Sequence, residues 1–97
     1  MAQVVYSNNA LDNVERAFEF LARHDVRAAA AAIDAIRDAI AVLSRHPMLG
    51  RRLGGPVREL VISYGKSGYL ALYRYRPERD EVRVLAIRHQ RELDYPA

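Results

Sequence analysis

The chain contains no cysteine. Disulfides and thiolate metal sites are therefore excluded, which fits a reducing compartment. No run approaches the roughly 20 apolar residues that a membrane-spanning helix requires. The opening stretch MAQVVYSNNALD has no basic segment followed by a long apolar run, so no signal peptide is expected. These absences together predict a small cytoplasmic protein with no membrane partner. Lysine is almost missing as well: Lys66 stands alone, and fourteen of the fifteen basic residues are arginine. Apolar residues are plentiful, at 51% of 97, which argues against disorder. One domain over residues 1–97 is expected, since a chain of this length buries roughly two-thirds of its unfolded surface and needs no staples.

Charge is unevenly spread. Residues 1–44 hold four basic and six acidic side chains, net −2, whereas residues 45–97 hold eleven basic and six acidic, net +5. A polyanion or an acidic protein segment would be drawn to the C-terminal half. Codon bias toward arginine in the source genome would give the same excess, so both readings stay open here.

Gln3–Tyr6, QVVY, is short and β-branched and is followed by SNN, a supply of helix caps. Leu11, Val14, Phe18 and Leu21 recur at helical spacing and predict a helix from about Ala10 to Arg23. Asp25 is a suitable N-cap for a second helix, whose stripe runs through Val26, Ala29, Ile33, Ile36, Ile40 and Leu43 before Pro47 stops it. The alanine run 28–32 lets the two helices pack closely as an antiparallel hairpin. HPMLGRRLGGP (46–56) reads as a loop. Strands are predicted at 57–64, 69–75 and 81–89, joined by GKSG and RPERD. Turns this short make an antiparallel meander. The fold class expected is α+β, in the order β-α-α-β-β-β, an antiparallel sheet with a helical hairpin packed on one face. Simple alternation places Val82, Val84 and Ala86 on one face of the last strand and Arg83, Leu85, Ile87 and His89 on the other. One hairpin covers one face, which leaves the other for a partner or as an exposed apolar patch.

The stretch from His46 to Tyr95, with its GR loop, VREL strand, GYLALYRY strand and terminal HQRE, resembles the RelE/ParE superfamily of toxins from type II toxin–antitoxin systems. That resemblance implies a cognate antitoxin that binds and neutralises the chain, with a heterotetramer or larger complex as an open expectation. It also implies one of two targets: DNA gyrase in the ParE-like branch, or mRNA on the ribosome in the RelE-like branch. Arg91 matches the arginine that RelE-like enzymes place near the scissile phosphate, and Tyr95 matches their C-terminal tyrosine at a shorter spacing. The arginine that follows GY in RelE is Leu70 here, and the basic residues of the preceding strand fall on Val61 and Ser63. Those departures favour the ParE-like branch, a growth inhibitor acting on gyrase. A ribosome-dependent endoribonuclease is the alternative. A non-toxic co-repressor that only binds the antitoxin is the third reading.

Metal-free RNA cleavage needs a base, an acid and positive charge at the phosphorane. The candidates are His89, whose reference pKa near 6.5 suits either proton role, Arg91, Arg58 and Lys66 for the phosphate, and Tyr95 to stack a base or orient a proton. Each has a plainer alternative: His89 as a hydrogen-bonding residue at a strand end, Arg91 and Glu92 as solvated termini, and Glu59 in a cross-strand ion pair. Of the tyrosines, Tyr73 is expected in the core rather than in a base-stacking surface. His24, His46 and His89 are too widely spaced to form a recognisable zinc pattern, so no metal or cofactor is expected.

Overall fold

Each helix begins where the sequence supplies an oxygen to cap it. The computed structural model describes residues 1–65, 67–92, 94 and 95. Strand β1 (Gln3–Tyr6) ends at Ser7, whose Oγ accepts from the Ala10 N–H at 3.0 Å and opens helix α1 (Asn8–Ala22). Asp25 Oδ1 accepts from the N–H groups of Arg27 and Ala28 at 2.9 and 3.2 Å and opens α2 (Val26–Ala41). Caps of this kind contribute about 1 kcal/mol each. A 3-10 turn, Val42–Ser44, extends α2, and the chain leaves helical geometry before Pro47.

The stretch expected as a loop contains a strand, β2 (Arg51–Gly54), antiparallel to β3 (Val57–Tyr64). The chain reverses through Gly54 and Gly55 at φ of 146° and 53°, values that cost a residue without a Cβ little. Strands β4 (Ser67–Arg76) and β5 (Glu81–His89) complete a five-stranded sheet in the order β1-β5-β4-β3-β2. The α+β class and the helical hairpin hold, but the sheet is mixed rather than antiparallel, because β1 runs parallel to β5. Short turns dictate direction only between consecutive strands. The whole hairpin and meander separate β1 from β5, so no turn constrains their relative direction.

A bulge in β5 overturns the expected faces of that strand. Leu72 pairs with Ala86, but the next residue, Tyr73, pairs with Val84, so Leu85 is an extra residue. Such an insertion shifts the pleat by one. Val82 and Val84 face the helices with Tyr75 and Tyr73; beyond the bulge, Ile87 and His89 do so with Ala71 and Tyr69. Ala86 and Arg88 instead share the open face with Leu72 and Leu70. Since β1 covers only Glu81–Val84, the rest of β5 has no strand on its outer side. The start of α1 seals that edge: Ser7 Oγ and Asn9 Nδ2 each donate to the Leu85 carbonyl at 3.0 Å, and Asn13 Oδ1 accepts from the Ile87 N–H at 2.9 Å.

The core lies between the hairpin and one sheet face, with Ile36, Ile40 and Leu43 against Leu60, Ile62, Tyr73, Val82 and Val84. Burying an aliphatic side chain of this size is worth roughly 1.5–3 kcal/mol. Tyr73 is 0% exposed, and its hydroxyl donates to the Pro47 carbonyl at 2.7 Å while accepting from the Gly50 N–H at 2.8 Å. A Cβ on Gly50 would lie 2.6 Å from Tyr73 Cε1 and 2.9 Å from the Glu59 carbonyl oxygen, so the approach requires glycine. Gly50→Ala is expected to destabilise by about 1–3 kcal/mol through overpacking, read as a thermal midpoint lowered by roughly 5–20 °C. A midpoint within about a degree of wild type would show that the loop yields without cost.

Candidate functional site

The sequence places its chemistry at the C-terminal end of β5, and the structure divides it between the two sides of the sheet. On the helix side, His89 stands opposite Tyr69, with the rings edge-on at 5.2 Å and 86°. The strand stops at His89 and the chain turns: the Glu92 N–H donates to the His89 carbonyl at 3.0 Å, and the His89 N–H donates to Glu92 Oε1 at 2.9 Å. His89 and Arg91 are thus joined by a turn, not by the pleat of an extended chain. The Arg91 N–H donates to His89 Nδ1 at 3.1 Å, which assigns the proton of the neutral ring to Nε2. Both residues line a pocket of about 510 Å³ that is completed by Arg16, Phe20, Leu21 and Tyr69. Phe20, 60% exposed, supplies its apolar rim.

Tyr95 lies across the other side. Its hydroxyl donates to Glu59 Oε2 at 2.7 Å, and its ring sits 5.1 Å from the guanidinium of Arg88. Arg88 also donates to the Glu92 carbonyl. Glu59 is the cross-strand partner expected of it: Arg51, directly opposite on β2, donates through Nε and Nη2 to Oε1 at 3.0 and 2.6 Å. Glu59 is only 3% exposed. Burial pushes its carboxyl upward, but hydrogen bonds from Tyr95 and Arg51 and the charges of Arg51 and Arg88 outweigh burial and hold it below its ordinary value. Burial, the hydrogen bond to Glu59 and the charge of Glu59 drive the Tyr95 phenol in the opposite direction, far above its ordinary value. Near neutral pH Tyr95 is therefore a hydrogen-bond donor, not a base.

Arg58 lies elsewhere. It stands opposite Tyr73 at the other end of the sheet and donates through Nη1 to the carbonyls of Met48 and Gly50 at 3.1 and 2.9 Å. Lys66 lies outside the described residues. Among the described residues, no group of three or more His, Cys, Asp or Glu side chains is arranged to hold a metal ion.

Comparison with known proteins bears on a sheet and hairpin of this kind. The profile of the ParE toxin of the type II toxin-antitoxin system, parDE, matches residues 4–94. The chain belongs to this family. Toxin RelE3 of Caulobacter vibrioides is 43% identical over 65 residues, which cover 67% of this chain and 68% of that protein. The solved chromosomal ParDE TA system from P. aeruginosa superposes with a TM-score of 0.75 over 92% of this chain and 96% of the matched one, at 17% identity. A likeness at that identity speaks for the fold. The resemblance carried by VREL, GYLALYRY and HQRE therefore holds at the level of the RelE/ParE superfamily.

Residue spacing alone gives no place to Arg88 in this toxin, although it neighbours His89. The bulge sends Arg88 to the opposite face, where it meets Tyr95. The signal available was the cluster of charged and hydrogen-bonding side chains from Arg88 to Tyr95; what hid it was the apolar run Val84–Ile87, in which no residue marks the extra position.

The Glu59 cluster has a pH signature. A carboxyl held below its unfolded value of about 4.3 contributes stability above that pH, and the contribution is lost as pH falls through the folded value. The raised phenol of Tyr95 contributes below about pH 10, and its share is lost at more alkaline pH. Glu59→Gln should flatten the acid limb of a urea-denaturation series, and Tyr95→Phe should lower stability near neutrality by about 1–2 kcal/mol. An acid limb of unchanged steepness in Glu59→Gln would remove the carboxylate from this role.

Proposed function

We propose that this toxin arrests growth by binding rather than by bond cleavage, with DNA gyrase as its target and a cognate antitoxin as the partner that neutralises it. The observation that supports this reading is the separation of the nuclease candidates. His89 and Arg91 lie on the helix side of the sheet, Tyr95 donates to Glu59 on the open side, and Arg58 is committed to two loop carbonyls. Catalysis of phosphoryl transfer needs its groups within hydrogen-bond reach of one reacting centre. In a binding surface each of these groups can act where it stands. The basic C-terminal half and the face that the hairpin leaves open are the surfaces expected to receive the antitoxin.

One observation favours the RNA-cleaving alternative: His89 and Arg91 meet at one turn, the Arg91 N–H donating to His89 Nδ1 and both side chains lining the same pocket. Two assays separate the readings. Under the binding mechanism, induced expression gives filamentation and DNA-damage signalling, mRNA stays intact by primer extension, and purified toxin inhibits gyrase supercoiling. Codon-level cuts that disappear in a folded Arg91→Ala variant would establish the nuclease instead. Supercoiling unaffected at saturating toxin would end the gyrase reading, and the absence of any growth effect from wild type would point to a co-repressor.

A further inference from the structure

The connection between α2 and β2 is held firmly in its backbone, yet its tip is apolar. The Pro47 carbonyl accepts from the Tyr73 hydroxyl, and the Gly50 N–H donates to that hydroxyl. Arg58 donates to the carbonyls of Met48 and Gly50, while the N–H groups of His46 and Leu49 donate to Val42 and His46. The side chains at the tip have no such ties. Met48 and Leu49 are 60% and 57% exposed, the only consecutive pair of large exposed apolar residues among the described residues. With His46, Pro47 and Tyr75 they line an open depression of about 430 Å³. A lone exposed apolar side chain needs no explanation, whereas a contiguous patch marks an interaction site. Charge frames this one. No carboxylate occurs between Asp38 and Glu59, a stretch that holds Arg45, Arg51, Arg52 and Arg58. Glu59 occupies Arg51, and the carbonyls of the loop occupy Arg58. Arg45 and Arg52 make no side-chain hydrogen bond or ion pair among the described residues. Arg52 also stands opposite Arg58, and like charges in that arrangement repel.

We infer that Met48 and Leu49 are the anchors by which the toxin docks on its protein target, inserted into an apolar recess of that protein whose border carries carboxylates for Arg45 and Arg52. This role rests on the gyrase-binding reading and gives it a contact surface. Methionine and arginine are enriched at protein interfaces, and an unbranched thioether fits an irregular recess. Because the backbone is already fixed from both ends, docking orders little more than side chains, so little of the binding energy is lost to entropy. A nucleic acid fits this surface less well. It is bound mainly through cations on successive phosphates, and here it would meet two free arginines and two apolar side chains. The loop lies at the end of the sheet remote from His89 and Arg91, since Arg58 and Tyr73, which hold it, pair there.

The test measures inhibition of gyrase supercoiling by purified full-length toxin, with a melting midpoint for every variant. Met48→Ser and Leu49→Ser should melt within about 4 °C of wild type, as surface substitutions do. Each should raise the concentration for half-inhibition at least about tenfold, the loss expected of an interface anchor. Reversing both free charges, Arg45→Glu with Arg52→Glu, should weaken inhibition more at low salt than at high salt. Val26→Ser, 61% exposed at the start of α2, should inhibit as wild type does. Inhibition by wild type that both loop variants retain would overturn the inference and leave the gyrase reading standing. No inhibition by wild type would remove that reading, and the docking role with it. An equal loss in Val26→Ser, or a midpoint lowered well beyond that margin in the loop variants, would also overturn it. So would binding of wild type to relaxed plasmid alone that Met48→Ser abolishes, because the loop would then be a wedge between base pairs.

Discussion

One extra residue in β5 governs which side chains this toxin presents and where. Leu85 opens the bulge, and the beginning of α1 holds it: Ser7 and Asn9 donate to its carbonyl, and Asn13 accepts from Ile87. Without it, alternation from Val82 and Val84 would carry Arg88 under the helical hairpin and turn Ile87 to the open side. Burying an unpaired guanidinium costs several kcal/mol, and exposing isoleucine forfeits roughly 1.5–3 more. The bulge avoids both. It also explains why Ser7 is useful twice, since the same hydroxyl accepts from Ala10 to start the helix and donates to Leu85 to fix it over the sheet.

Local patterns carried most of the architecture. The stripes through Val14 and Phe18 and through Ile33, Ile36 and Ile40 face the core as their spacing requires, and Ser7 and Asp25 cap as their chemistry requires. Features that depend on distant partners were not legible. VRVLAIRH crosses the bulge in an unbroken apolar run, Val84 to Ile87, so no change of polarity marks where the pleat shifts. RRLG lacks the β-branched residues that mark a strand, and becomes one by pairing with Val57–Glu59. The parallel placement of β1 depends on the free half-edge of β5, which no turn encodes. His89 and Arg91 were legible as neighbours, yet a turn rather than a strand unites them.

Glu59 ties the two halves of the site's behaviour together. It is an almost fully buried acid on the face that the hairpin leaves uncovered, surrounded by Arg51, Tyr95 and Arg88. Its hydrogen bond draws the C-terminal turn across the sheet, so the segment carrying His89 and Arg91 on one side is anchored by Tyr95 on the other. Residues that sequence proximity suggests should act together are therefore held apart by the fold.

The preference for arginine over lysine in the C-terminal half also has a structural use, whatever its origin in the genome. Arg51 places two nitrogens on one carboxylate oxygen, Arg58 spans two carbonyls, and Arg88 stacks on Tyr95 while donating to Glu92. Each task uses a planar, multiply donating head that an ammonium cannot reproduce. Where those donors find partners inside the chain, arginine secures the loop and the C-terminal turn. At Arg74 and on Nε of Arg88 they find none. The same side chain that secures one part of the sheet therefore leaves, at these two positions, buried donors that no group among the described residues satisfies.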